Sequence, residues 1–219
     1  DADYLLEDIT LPEYLDSFPS SVVLPQFDLE ANDLKKWRRH ASRVVRSELK
    51  IPSEFNFELS WALGLLVGDG SLGSRDKRYQ SRISLFNTDK KIIDKYCDIW
   101  LRHFGYKPTV RRITKNRNTP VYHVICKSQP ISKWLRNSLK LHFSMAEGKR
   151  VPQIIFDNPN PELIKHFIRG YFDSDGHCSS NGEVIFASVS ELLLRDIQFL
   201  LKLMGIPSCL KKLKKYHTS

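Results

Sequence analysis

The sequence predicts an α+β chain built from two pseudo-symmetric repeats, each running helix, strand, strand, helix, strand; a further strand and helix complete the first as αββαββα. Three observations predict it. Two apolar segments end alike, Trp61-Ala-Leu-Gly-Leu-Leu-Val-Gly-Asp-Gly70 and Phe167-Ile-Arg-Gly-Tyr-Phe-Asp-Ser-Asp-Gly176, so that Asp69 and Asp175 stand 106 residues apart. The same succession of periodicities follows each segment. In each, small residues recur four apart, Gly64 with Gly68 and Gly170 with Ser174.

Residues 1–56 precede the repeats. The first 34 residues hold nine acids and no Lys or Arg. All 34 basic residues follow, opposed by 16 acids, so an acidic leader of −9 joins a body of +18 and the chain sums to +9. Pro12, Pro19 and Pro25 argue against a long helix in the leader. From Asn32 or Asp33 to Lys50 the pattern turns helical and basic, with Leu34, Trp37, Ala41, Val44 and Val45 as its apolar stripe. The leader reads as an arm lying on the body, and the basic helix as a packed, solvated face or a phosphate contact.

The first repeat, 57–150, opens with the apolar segment as a helix. The alternation of Arg82-Ile-Ser-Leu-Phe86 predicts a strand, and Ile92, Ile93, Tyr96, Trp100 and Leu101 predict a helix closing at Gly105. Lys107 to Lys115 and Pro120 to Lys127 read as strands, and Ile131 to Leu141 as a helix. The second repeat, 151–219, repeats the helix, then offers Val184-Ile-Phe186 as a strand. A helix over Leu193, Leu194, Ile197, Leu200 and Leu201 closes at Gly205, and Ser208 to Lys215 reads as a basic strand. By comparison with the first repeat it ends about 20 to 30 residues short, taking connections of ordinary length.

Composition excludes several classes. At 41% hydrophobic and 11% aromatic the chain can bury a core. No apolar run approaches the ~20 residues a bilayer needs and nothing resembles a secretory signal, so an intracellular protein is expected. Cys97, Cys126, Cys178 and Cys209 lack CxxC spacing, which fits reduced thiols rather than a zinc ribbon or disulfide framework. Asp173-Ser-Asp-Gly-His177 is not an EF-hand, because Cys178 and Val184 stand where Gly and Glu are needed. The seven histidines form no zinc spacing. A body at +18 points to a polyanion, most simply nucleic acid.

An interior helical Gly costs about 1 kcal/mol relative to Ala, so the small residues need a packing reason. The natural partner of each small face is the other; side by side and in parallel, the two helices bring Asp69 and Asp175 together. Each acid would face the negative end of a helix dipole, with a Gly suited to C′ behind it, and the two would repel. A divalent cation would remove both penalties, and oxygen donors suit Mg²⁺. Two carboxylates with metal on a basic surface is equipment for phosphodiester hydrolysis.

Ala62 to Gly70 and Ile168 to Gly176 resemble the two nine-residue signatures of LAGLIDADG homing endonucleases, with Val67 departing from the pattern where the second copy keeps Asp173. The resemblance, over roughly residues 57 to 219, implies a monomeric enzyme that cuts both strands of a long DNA site with Mg²⁺. It implies Asp69 and Asp175 as catalytic acids and metal ligands, with Gly68 and Ser174 beside them at the metal. Gly148-Lys149-Arg150-Val151-Pro152 resembles the segment that carries a catalytic lysine in intein-borne members, which makes Lys149 the match. A second such lysine would lie as far beyond Asp175 as Lys149 is beyond Asp69, past Ser219. Residue 1 is Asp and no terminal His-Asn occurs, so self-splicing is not expected. The family binds double-stranded DNA on a saddle of two antiparallel sheets. Candidate contacts are Arg82, Ser84, Arg111, Arg112, Lys115, His123 and Lys127 in the first unit, and Lys211, Lys212, Lys214 and Lys215 in the second, with Arg75, Lys77 and Arg78 as phosphate contacts. The rival of the same fold is a non-cleaving maturase or regulator. A generic basic α+β module is disfavoured by the repeat.

Overall fold

Asn56 starts the first long helix: its side chain accepts a hydrogen bond from Leu59 N at 3.1 Å, satisfying one of the N–H groups a helix start leaves free. In the computed structural model, which describes residues 21–24, 49–73, 82–114, 119–141 and 146–212, this helix, α1, spans Phe57–Asp69. Leu59 to Gly68 are all buried, as suits a helix apolar on every side. Before it, β1 (Ser21–Val23) pairs antiparallel with β2 (Glu54–Asn56), a ribbon the sequence pattern does not reveal. Leu24 donates its N–H to Ser53 O and is buried, so this part of the leader is tied to the body. The predicted basic helix lies outside the described residues as far as residue 48, and its last two residues, Leu49 and Lys50, are not helical.

Four strands follow: β3 (Gly70–Leu72), β4 (Arg82–Asn87), β5 (Thr109–Ile113) and β6 (Val121–Lys127). They form one antiparallel sheet in the order β3-β4-β6-β5. Between them runs α2 (Lys90–Phe104), capped by Asp89 and closed by the left-handed Gly105. After them comes α3 (Gln129–Asn137), capped by Ser128 and two residues earlier at its start than predicted. One face of the sheet and these helices enclose a core that includes Leu63, Leu66, Ile83, Leu85, Tyr96, Trp100, Phe104, Val124 and Trp134.

The short α4 (Gln153–Asp157) leads to α5 (Pro161–Asp175), whose cap Asn160 accepts from Glu162 N and Leu163 N. Then come β7 (Gly176–Cys178), β8 (Val184–Phe186) and α6 (Glu191–Leu203), capped by Ser190. The antiparallel pair β7–β8 is the second repeat's whole described sheet. Residues 206–212 are not a strand, contrary to the reading of Ser208 to Lys215. The reason is a missing neighbour. In the first repeat β5 bonds only to β6, and the described second repeat offers no counterpart of β6, so a strand there would leave its backbone groups unpaired.

The two long helices pack in parallel through their small residues. A Cβ on Gly64 would stand 2.1 Å from Phe167 O, and one on Gly170 would stand 2.0 Å from Trp61 O. Ser60 Oγ donates to Leu163 O at 2.6 Å and Trp61 Nε1 to Asp173 Oδ2 at 2.8 Å. The glycines after the two acids have a different role from the one expected. Gly70 and Gly176 have φ of −97° and −96°, not the left-handed C′ conformation. Glycine is needed for space: a Cβ would lie 2.2 Å from Leu66 O at Gly70 and 2.1 Å from the Phe172 ring at Gly176. Among the described residues, no helix is long and apolar enough to cross a membrane.

Candidate active site

Parallel packing ends both long helices at one place, and there the acids converge. Asp69 is the last residue of α1 and Asp175 the last of α5. A Cβ on Gly68 would stand 1.8 Å from Ser174 Oγ and 3.2 Å from Asp175 Oδ2, so the side chains of one helix end lie against the backbone of the other. Burial pushes the Asp69 carboxyl from 3.8 up to about 6, helped by the nearby Asp175 charge and opposed by a hydrogen bond from Asn87 and by Lys149. Burial likewise raises Asp175, with Lys149 opposing. The Lys149 ammonium is lowered by its own burial while both acids hold it up. Its Nζ donates to Gly68 O, one of the last-turn carbonyls for which α1 has no internal partner.

One residue at this site escapes the sequence reading, and a second is read there only as a motif position. Asn87 Nδ2, at the end of β4, donates to Asp69 Oδ2 at 2.7 Å and lies 3.4 Å from Asp173 O, while its Oδ1 accepts from Asp89 N. The only local signal is its place two residues before the cap of α2. Asp173, the motif acid that the first copy replaces with buried Val67, accepts from Trp61 Nε1 and pairs with Arg169 at 2.9 Å. It ties α5 to α1.

The buried acids carry a pH consequence. A carboxyl whose folded pKa is raised stabilises the fold only while protonated; that contribution is complete below 3.8 and lost as pH rises through about 6. The difference amounts to about 3 kcal/mol. Asp69→Asn, measured in EDTA, should therefore raise Tm at pH 8 and lose the gain at pH 4; an unchanged Tm at pH 8 would remove the electrostatic burden assigned to Asp69.

Register sorts the predicted DNA contacts. Pairings Arg82↔Lys127, Ser84↔Ile125, Phe86↔His123 and Arg111↔His123 put Arg82, Ser84, Arg111, His123 and Lys127 on the sheet face opposite the core. Arg112 pairs with Tyr122 and lies on the other face, so period-2 alternation removes it from this group. The face is internally organised: Arg82 Nε donates to Ser84 Oγ at 3.1 Å, Arg82 Nη2 lies 3.2 Å from His123 Nε2, and Phe86, 42% exposed, stacks on His123 at 4.0 Å. Burial and the neighbouring Arg82 and Arg111 lower the His123 pKa, favouring its neutral form. Ser84 and His123 are buried, so they orient Arg82 more than they meet solvent. Lys211 and Lys212 are exposed on the non-strand segment. Arg75, Lys77, Arg78, Lys115, Lys214 and Lys215 lie outside the described residues.

The sequence profile of the LAGLIDADG-like domain family matches residues 56–137 and 162–219, a span that includes both helix ends and both acids. The chain belongs to this family. The LAGLIDADG-like fold is seen also in the homing endonuclease I-DmoI in complex with DNA and Mn, with a TM-score of 0.52 and 16% identity over 73% of this chain and 84% of that one. Mesophilic variants of I-DmoI match with a TM-score of 0.50, 14% identity, and coverage of 74% and 84%. Among curated proteins, a glutamine–fructose-6-phosphate aminotransferase of Methanocaldococcus jannaschii is 24% identical over 76% of the chain, and the replication factor C small subunit of the same organism is 25% identical over 81%. A DNA polymerase of Thermococcus hydrothermalis is 31% identical over 67%. The LAGLIDADG-like chain spans 14%, 9% and 8% of these three relatives' own lengths.

Proposed function

We propose that this chain is a homing-type endonuclease that hydrolyses both strands of a long double-stranded DNA site with Mg²⁺, acting as a monomer through units 57–150 and 151–219. The observation that carries this reading is the meeting of Asp69 and Asp175 at the paired helix ends, with the Lys149 ammonium near both acids and bonded to Gly68 O. Relatives as different as an aminotransferase and a DNA polymerase, each matched over a small fraction of its length, support a portable unit carried inside unrelated hosts.

The donor set fits a hard cation. Among the described residues no group of three or more His, Cys, Asp or Glu gathers, so the protein offers two carboxylates, with Gly68 and Ser174 beside them. Mg²⁺ is commonly held in this way, by one or two carboxylates completed by phosphate and water. When bound it would supply an activated water and neutralise phosphate charge. The chain's own residues do the rest. Asn87 fixes one oxygen of Asp69 and leaves the other to turn towards substrate. Lys149 offers positive charge to a phosphate oxygen, and Arg82, Arg111 and Lys127 line a basic face for the duplex.

Selection of cleaved sites from a random DNA library with Mg²⁺ tests the proposal, the expected result being one enriched long site. Tight binding without cutting would favour the non-cleaving maturase or regulator. Binding through phosphates also sets the salt response: with about 6–10 such contacts, affinity should fall about 10³- to 10⁵-fold between 50 and 200 mM salt. A salt-insensitive complex, read by anisotropy, would count against the basic face.

A further inference from the structure

We infer that Asp196 is a positioning residue that holds Lys149 against the two acids. The inference rests on the catalytic reading of Lys149 and adds to it the device that places the ammonium. Three consecutive linker residues are each gripped by α6 or its cap. Lys149 O accepts from Ser190 Oγ at 2.7 Å, Arg150 donates to both oxygens of Asp196 at 2.5 and 2.7 Å, and Val151 N donates to Asp196 Oδ2 at 3.1 Å. Its backbone held by the second repeat's α6, the Lys149 side chain reaches back to α1 of its own repeat, where its Nζ meets Gly68 O. The lysine therefore spans both halves, rooted on α6 and ending at α1.

The fold does not require an acid at position 196. Asp196 is 7% exposed among Leu193, Ile197 and Leu200, where an unpaired carboxylate would be strongly disfavoured. Counting back nine residues from the left-handed Gly105 and Gly205 places Tyr96 of α2 at the equivalent position, and Tyr96 is buried in the core. The second repeat gives up that aromatic contact for a carboxylate whose described partners are all in the segment carrying Lys149. Arg150 is half exposed and closes the clamp from the solvent side.

The test uses the full chain with Asp196→Asn and Arg150→Ala; the second leaves the buried carboxylate its Val151 bond should the first fold poorly. In EDTA and without DNA, acetylation of Lys149 by an amine-reactive ester, followed by peptide mass spectrometry, should run several-fold faster in both variants. An unchanged rate would overturn the inference whether or not the protein cuts DNA. On a plasmid bearing the selected site, single-turnover cleavage at saturating enzyme should fall about ten- to a hundredfold with affinity unchanged, the scale expected for a misplaced catalytic group. In a Lys149→Met background, Asp196→Asn should cost nothing more; losses that simply multiply would make the clamp an ordinary structural tie and overturn the positioning role. Wild-type cutting by Lys149→Met alone would instead sink the catalytic reading of that lysine, leaving the acetylation rates to decide the clamp.

Discussion

Asp69→Asn and Asp175→Asn should each abolish double-strand cleavage while leaving DNA affinity within about threefold of wild type. Each swap keeps the shape of the side chain and removes the charge that would hold a divalent cation at the helix ends. Loss of several kcal/mol of transition-state stabilisation corresponds to a rate at least about a thousandfold lower. The proposed DNA contacts Arg82, Arg111 and Lys127 lie on the sheet, away from the two acids' charge, so binding is expected to survive. Single-turnover cleavage of a plasmid carrying the selected site, with anisotropy for affinity, measures both. Because Asp69→Asn should also stabilise the metal-free protein at pH 8, lost cutting cannot be assigned to unfolding. Wild-type rates in either variant would remove these acids from the chemistry.

The second large effect is on stability. Gly170→Ala would place a methyl 2.0 Å from the Trp61 carbonyl and 2.8 Å from its carbon, and Gly64→Ala would do the same against Phe167. Both obstacles are backbone, so relief requires the helices to part along the seam that includes Leu65 and Phe167, both fully buried. Overpacking costs about 1–3 kcal/mol where side chains can yield, and about 3 kcal/mol or more is expected here. That lowers Tm by about 6–12 °C for a chain of this size. Gly148→Ala is the control, since nothing lies within 4 Å of its added methyl. Equal melting of Gly170→Ala and Gly148→Ala would show that the helices do not meet as described.

The seam was legible in the sequence because it rests on two local regularities, the recurrence of the motif and the four-residue spacing of its small residues. Lys149 was legible only through resemblance, since nothing in its spacing from Asp69 says that the chain returns there. Asn87 was not legible: its link to Asp69 depends on where β4 ends in space. The same is true of Asp196, which reads as an ordinary polar residue on an amphipathic helix. Arg111 and Arg112 mark the limit of strand patterning, because β5 alternates too weakly to say which is outward, and only pairing with β6 decides. The strand expected from Ser208 failed for a related reason. Composition can mark a segment as extended, but a strand exists only where another backbone accepts its hydrogen bonds.

At Gly64 and Gly170 the backbone of one helix meets the backbone of the other, so the approach of the two helices that end in Asp69 and Asp175 is limited there by backbone thickness. Substitutions that retune the sheet faces leave that distance alone. In the proposed endonuclease, target preference can drift residue by residue on the sheets, while the spacing of Asp69 and Asp175 stays out of reach of that drift.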